Sequence, residues 1–276
     1  MEETELSVDL RMRKEKCMKK VIVGIMIGTL VLLSGCGVPK NTVHSIDDLK
    51  GKNIGVQLKT TGDAYASDIE NAQVQRFNKG YDAVVALRKG ELDAVMLDDA
   101  PANVFVEEFG DIKILDEAYA DEEYGIAVNK ENTELLEKIN QALDTLEADG
   151  TIEQITNAWL KEGVERTAYE GQNKEEYANG ILIMATNAEF PPYEDKNEDG
   201  EIIGIDVDIM KAVCDQLDMK LQIENTAFDS IIASVERGMA DVGVAAMTIT
   251  DERLEQINFS RTYVKAKQVI IVRNKE

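Results

Sequence analysis

Few side chains in this chain of 276 residues can make or break bonds. His44 is the single histidine, so no histidine-centred base or triad can be assembled. The three cysteines, Cys17, Cys36 and Cys214, have no zinc-ligand spacing. Cys214 sits in "IMKAVCDQL" with Met210, Val213 and Leu217 at helical spacing, which reads as a core thiol. The residue types that remain suit the holding of charged groups. Arginine, hydroxyl and backbone donors hold a carboxylate, and an acid holds an ammonium. Arg253 closes "TITDER", which Thr248 opens, and Asp98 and Asp99 lie in "VMLDDAPA". Thr61 opens "TGDAYA", where free helix N–H groups favour an anion. Each also has an ordinary reading: Arg253 on a helix surface, Thr248 as a cap, Asp99 as the cap of "APANVF". Carboxylate catalysis would have to run through Glu189. A further acidic run, "DKNEDGEIIGID", fits part of a calcium loop. Its twelfth residue is Asp206 rather than glutamate, and "EFPPY" before it cannot be an entering helix, so no metal is expected.

These groups must be positioned by a chain that is 44% apolar and 30% charged, with a net charge of −23. That is enough for one ordinary domain or two small lobes with real cores. So acidic a surface repels nucleic acid and anionic membrane. The N-terminal 35 residues do not read as fold. Lys19 and Lys20 precede an apolar run, Val21–Leu33, too short to span a membrane comfortably. It ends in "LSGC" at Cys36, which looks like a lipoprotein cleavage and lipidation site, with Met18 as a better start than Met1. Residues 36–45 read as a polar linker.

Beyond them, strands and helices alternate, which argues an α/β fold with mostly parallel sheets. "GKNIGVQ", "LDAVML", "DIKILD" and "YGIAVN" read as strands. "YDAVVALRKG" reads as a helix closed by Gly90, and Asn132 as the cap of a helix with face Leu135, Leu136, Ile139, Leu143 and Leu146. The stretch 161–179 is charged and aperiodic, and reads as a flexible linker. "YDAVVALRKGELDAVM" (81–96) and "FDSIIASVERGMADVGV" (228–244) repeat one helix–glycine–strand unit. Two similar α/β lobes facing across a cleft would explain it.

"ATNAEFPPYE", "GIDVDIMKAV", "AFDSIIASVERGMADVGVAAMTITDER" and "INFSRTYV" resemble the first half of the polar amino-acid family of extracellular solute-binding proteins, the binding components of ABC importers. "IDDLKGKNIGVQLKTTGDAYA", "YDAVVALRKGELDAVMLDDAPA", "EEYGIAV" and "LEADGTIEQITNAWL" resemble its second half. The halves stand in reverse order, so the chain resembles a circular permutant. "GILIMATNAEFPPYE" at 180–194 would be the family's displaced first strand. The resemblance implies a two-lobed periplasmic-binding-protein-like fold of type II. Lobe 2 would be 46–120, lobe 1 would be 121–160 with 180–276, and 161–179 would join the old termini. It also leads us to expect that one of the two usual chain crossings between lobes is cut, leaving only that near Asp116–Tyr124.

For function, the resemblance implies capture of a free polar amino acid and its delivery to ABC permease subunits, outside the cytoplasm, from a lipid anchor on Cys36. Arg253 resembles the arginine that pairs with the ligand carboxylate, Asp98 the acid that takes the ammonium, and Ala246 a position whose backbone faces the ligand. Thr248 and Thr61 would add donors. Phe190 and Phe228 resemble aromatic positions that sandwich the ligand, and Asn187, Glu189 and Gln57 could meet a polar side chain. No cofactor and no catalytic residue are expected. A monomer is expected, with exchange of halves between two chains as its rival. A dehydratase-like enzyme or a ligand-sensing domain on the same fold are the competing functions.

Overall fold

The computed structural model describes residues 38–161, 168–172 and 174–275. Residues 1–37, with Cys17 and Cys36, lie outside them. The chain divides into two compact units, Met1–Pro39 and Lys40–Glu276. Of the first unit only Val38 and Pro39 are described, and both are exposed.

In the second unit, β1 (Asn53–Gln57), α1 (Thr61–Asp68), β2 (Gln73–Phe77), α2 (Gly80–Lys89), β3 (Ala94–Asp98), α3 (Asp99–Phe109) and β4 (Ile112–Ile114) follow in chain order. Strands β1, β2 and β3 are parallel, and β3 is buried at every position because helices cover both faces of the sheet. β2 carries no sequence signal because it is an edge strand with largely exposed side chains. Gly90 ends α2 in the left-handed conformation at φ 82°. Its counterpart in the repeat, Gly238, has φ 68°. Both stops need a residue without a Cβ penalty there.

The chain continues through β5 (Ala120–Tyr124), β6 (Ala127–Val128), α4 (Thr133–Ala148), α5 (Thr151–Leu160) and β7 (Ile181–Thr186). The hairpin β8 (Asp195–Lys196) and β9 (Ile202–Ile203) then leads into α6 (Ile205–Leu217) and β10 (Lys220–Asn225). Last come α7 (Ile231–Glu236), β11 (Val242–Gly243), α8 (Asp251–Leu254), β12 (Asn258–Phe259) and β13 (Val264–Arg273). Strands β10, β7 and β11 are parallel, and β6 lies antiparallel between β11 and β12. Asn132 caps α4 by accepting from the Leu135 N–H, and Ile139, Leu143 and Leu146 are buried against α5 and α6. Cys214 is buried in this core, and burial pushes its thiol up to about 12.

Three features differ from the sequence reading. First, Val264–Arg273 does not belong with 180–263. It pairs antiparallel with β3, β4 and β5, and so completes the sheet of lobe 2. Second, both crossings are kept. β5 leads into β6 at Gly125–Ile126, and β12 into β13 at 260–263. β5 and β13 pair from Val264↔Tyr124 to Gln268↔Ala120, forming a two-stranded ribbon where the chain passes between lobes. The physical reason is where the ends lie. The Asn41 N–H donates to the Lys275 carbonyl at 2.7 Å, so both ends of the second unit sit inside lobe 2 and no crossing is opened. Third, the described part of 161–179 is not a free tether. Tyr169 and Gln172 donate backbone N–H groups to Asp208 and Asp215, Lys174 pairs with Asp218 at 2.8 Å, and Asn179 donates to the Leu217 carbonyl. The segment is fastened along α6.

The acidic hairpin also resolves differently from a cation loop. The Asn197 side-chain oxygen accepts from the N–H groups of Asp199 and Glu201, which closes the turn. Asp206 turns inward instead.

Candidate functional site

A small cavity lies between the lobes. It is lined from lobe 2 by Gln57, Thr60, Thr61 and Asp98. Lobe 1 supplies Asn187, Phe190, Glu194 and Phe228, with the 245–248 turn and Arg253. Gln57 ends β1 and Asp98 ends β3, so both sit at the carboxyl edge of the parallel sheet. Thr60 caps α1 by accepting from the Asp63 N–H at 3.3 Å, and Thr61 is its first residue. The helix thus presents its N-terminus to the cavity, where an anion is favoured.

Arg253 is 9% exposed. Its guanidinium donates from Nη1 to the Thr248 carbonyl at 2.7 Å and from Nη2 to the Lys59 carbonyl at 3.2 Å, which reaches across to lobe 2. The Phe228 ring lies 5.5 Å below it. Burial pulls the Arg253 pKa down, while Glu122 and Asp98 hold it up; the group stays cationic.

Asp98 occupies the cap position of α3 yet makes no cap bond to that helix. Its Oδ2 accepts from the Tyr124 hydroxyl, and its Oδ1 from Gln268 Nε2 at 2.5 Å. Desolvation, then the charge of Glu122, push its carboxyl up to about 8 against the pull of these donors. Asp99 faces outward and accepts from the Ala100 N–H, as a residue of the first helical turn.

The turn 245–248 is held from behind. Ala246 has φ 47°, a conformation that costs a non-glycine residue about 1 kcal/mol or more. Its N–H donates to Asp206 Oδ2 at 2.7 Å, and the Tyr263 hydroxyl donates to Asp206 Oδ1 at 2.9 Å. With its N–H committed, Ala246 can offer a ligand its carbonyl. Burial raises Asp206 to about 6 against these two donors. Glu194 is fully buried beside it, and neither of its oxygens accepts a hydrogen bond. Burial and the charge of Asp206 raise Glu194 well above the carboxylate range, and its proton satisfies Asp206. The Thr248 hydroxyl donates to Glu122 Oε2 at 2.6 Å, so its proton is not free for a ligand. Thr248 lies opposite Tyr124, and the bonds of that bridge are made by Gly125 and Ile249 on either side, which turns the Thr248 N–H away from β5.

The remaining expected residues also converge. Asn187 accepts from Gln57 Nε2 at 3.1 Å, across the lobes, and donates to the Thr226 carbonyl at 2.9 Å. Phe190 stacks on Tyr193 with centroids 6.2 Å apart. Glu189 does not enter the cavity; it forms an ion pair with Lys79 at 2.7 Å on the rim, again across the lobes. Sequence reasoning missed Glu194, Glu122 and Gln268. Glu194 carried a signal, as an acid directly after "FPPY". Glu122 lies unmarked within "ADEEY", and Gln268 meets Asp98 only through the β3–β13 register.

The lobes touch, and the space inside the cavity is about 10 Å³, room for the centre of one water molecule. Any ligand larger than a water molecule therefore enters only if the lobes part. A larger groove of about 530 Å³ opens alongside, bounded by Lys59, Thr61, Phe228, Glu252 and Arg253. Among the described residues, no cluster of histidine, cysteine or acid side chains is arranged to hold a metal ion.

The sequence matches Bacterial extracellular solute-binding proteins, family 3, over residues 38–162 and 182–276. It is 34% identical over 128 residues to the ABC transporter arginine-binding protein 1 of Escherichia coli, covering 44% of this chain and 52% of that protein. It is 34% identical over 92 residues to a probable histidine-binding protein of Neisseria gonorrhoeae, covering 33% and 34%. An L-cystine-binding protein of Escherichia coli is 29% identical over 123 residues, covering 44% and 46%. Each match thus spans about a third to a half of the relative's length. Among solved structures, an ancestral arginine-binding protein bound to arginine is 38% identical, covering 29% of this chain and 35% of that one, with a TM-score of 0.28. With most of the described chain inside the family match, on a fold of two α/β lobes, this protein belongs to the family 3 bacterial extracellular solute-binding proteins.

Proposed function

We propose that this protein captures a polar amino acid outside the cytoplasm and delivers it to the permease of an ABC importer. The observation that carries the reading is one cavity lined by both Arg253 and Asp98, from opposite lobes. Arg253 and the N-terminus of α1 take the ligand carboxylate, and Asp98 takes the ammonium. Phe190 and Phe228 flank the side chain, while Asn187, Gln57 and Thr61 meet its polar atoms. Thr248 contributes its N–H and Ala246 its carbonyl. Because the clamp is split between lobes, the bound ligand stabilises the closed form, and that form is what a permease recognises. The names of the matched relatives, which bind arginine, histidine or cystine, support a polar amino acid as the ligand class.

We further infer that the chain is a circular permutant acting as a monomer, anchored by a lipid on Cys36 after cleavage of residues 1–35. The two separate family matches and the meeting of Asn41 with Lys275 support the permuted order. A thermal-shift screen against the amino acids tests the function. A ligand at a hundred times its Kd adds about 2.7 kcal/mol of stability. We expect a rise with one or a few polar amino acids, lost in Arg253→Ala and Asp98→Ala. A well-folded protein that responds to none would sink the reading.

A further inference from the structure

Glu122 is a buried acid near the cleft that clamp chemistry leaves without a task. It lies on β5, where Glu122 and Tyr124 point inward while Asp121 and Glu123 point out. It is 2% exposed, and its Oε1 accepts no hydrogen bond. An unmatched buried acceptor costs about 1–3 kcal/mol, more when charged, so its retention beside a binding cavity calls for a compensating role. Its Oε2 holds the Thr248 hydroxyl at 2.6 Å and lies 3.4 Å from Gln268 Nε2. The same Gln268 nitrogen is 2.5 Å from Asp98 Oδ1. Two buried carboxyl groups thus share one amide donor.

We propose that Glu122 is a positioning residue for the ligand ammonium: it keeps a proton on Asp98 in the empty cleft, and an arriving ammonium displaces that proton to solvent and takes its place. This rests on the amino-acid reading. The balance is simple. The Asp98 O–H bond breaks, the proton leaves to bulk water, and the carboxylate pairs with the ligand cation. The groups facing Asp98 fit the assignment. Burial is the largest influence on it and the Glu122 charge the next, and Asp99 on α3 adds to both. Tyr124 and Gln268 oppose them without prevailing, and leave the carboxyl at about 8. From α1, Tyr65 is a phenol raised by burial, Glu122 and Asp98, so it adds no charge at neutral pH. Tyr193 and Glu194, from the loop before β8, are also held protonated. Arg253 on α8 is the cation of the group, and its guanidinium is engaged by the Thr248 and Lys59 carbonyls.

The test is isothermal titration of L-arginine, L-histidine and L-glutamine into the protein at pH 7, in phosphate and in Tris, whose ionisation enthalpies differ. The dependence of the measured heat on buffer gives the protons released per ligand bound. Close to one proton is expected, with affinity rising towards tenfold per pH unit below pH 7 and levelling above pH 8. Glu122→Gln should cut the release to less than half and move the levelling point to lower pH. A merely structural Glu122 would change affinity and leave the proton count alone, which would overturn the proposal. Binding by the unaltered protein with no proton release would overturn it as well, whether or not the variant folds, and would leave the amino-acid reading standing. No heat with any of the three, together with no response in the thermal-shift screen, would overturn both.

Discussion

At the residue scale, the site is an economy of buried charge. Asp98, Glu122, Glu194 and Asp206 are all buried around a single buried cation, Arg253. Such a set is tolerated because donors are aimed at it, namely Tyr124, Tyr263, Gln268 and the Ala246 N–H. It also imposes a pH dependence. Asp98 and Asp206 have folded-state pKa values raised to about 8 and about 6, above their ordinary value. The folded state therefore binds more protons than the unfolded one as pH rises from about 4 to 8, and stability falls across that window. The ligand-free protein should melt at a higher temperature at pH 5 than at pH 8. Asp98→Asn should flatten the part of that decline above pH 6. Thermal denaturation at a series of pH values checks both, and a midpoint that rises steadily to pH 8 would contradict the assignment. Arg253, Asp98, Thr61, Phe190 and Phe228, which line the cavity, were named from the sequence because they sit in segments that resemble the family's. The Thr248 hydroxyl was misjudged because its partner, Glu122, is 126 positions away.

At the scale of elements, α6 organises lobe 1. Asp208 and Asp215 on its face and Asp218 at its C-terminal cap hold the described part of 161–179, and Asp206 at its start holds the cavity turn. Asp208 is fully buried and accepts from Trp159 Nε1 at 2.8 Å, the Tyr169 N–H at 2.9 Å and Lys211 Nζ at 3.2 Å. Removing it strands buried donors, each at about 1–3 kcal/mol. We expect Asp208→Ala to cost at least about 2 kcal/mol in urea unfolding and to shift the emission of Trp159, the single tryptophan. An unchanged midpoint would show that the segment does not depend on this anchor. The helices and buried strands were legible from periodicity and glycine stops. The docking of the described part of 161–179 was not, because its hydrogen bonds are long-range and largely through backbone N–H groups, and the packing of Ala168 and Tyr169 on the core leaves no side-chain period to read.

At the scale of the molecule, the permuted reading makes its own prediction. The chain passes between lobes twice, through β5 to β6 and β12 to β13, and the β5–β13 ribbon ties both passages together. Hinge motion is thus expected to resemble that of an unpermuted relative rather than to be loosened. A rearranged chain that runs from 180 to 275, continues directly into 41, and ends at 161 should fold with the same ligand preference. The 2.7 Å contact between Asn41 and Lys275 means the new join needs at most a few residues. Circular dichroism and the same thermal-shift screen would read the outcome, and failure to fold or a changed ligand would count against the permutation. The lobed architecture was legible from the internal repeat and the family segments. The number of crossings was misread because it depends on which lobe receives β13, and that is decided by pairing with Ala94–Asp98 far earlier in the chain.

The central claim is that Arg253 and Asp98, from opposite lobes, clamp one amino acid between them. A crystal structure of the protein with the ligand found in the thermal-shift screen tests it most directly. The account predicts closed lobes, the ligand carboxylate within hydrogen-bond reach of the Arg253 guanidinium and the α1 N-terminus, and the ammonium on Asp98. A ligand seated instead in the neighbouring groove beside Lys59 and Glu252, with Asp98 still bound to Tyr124 and Gln268 alone, would contradict it.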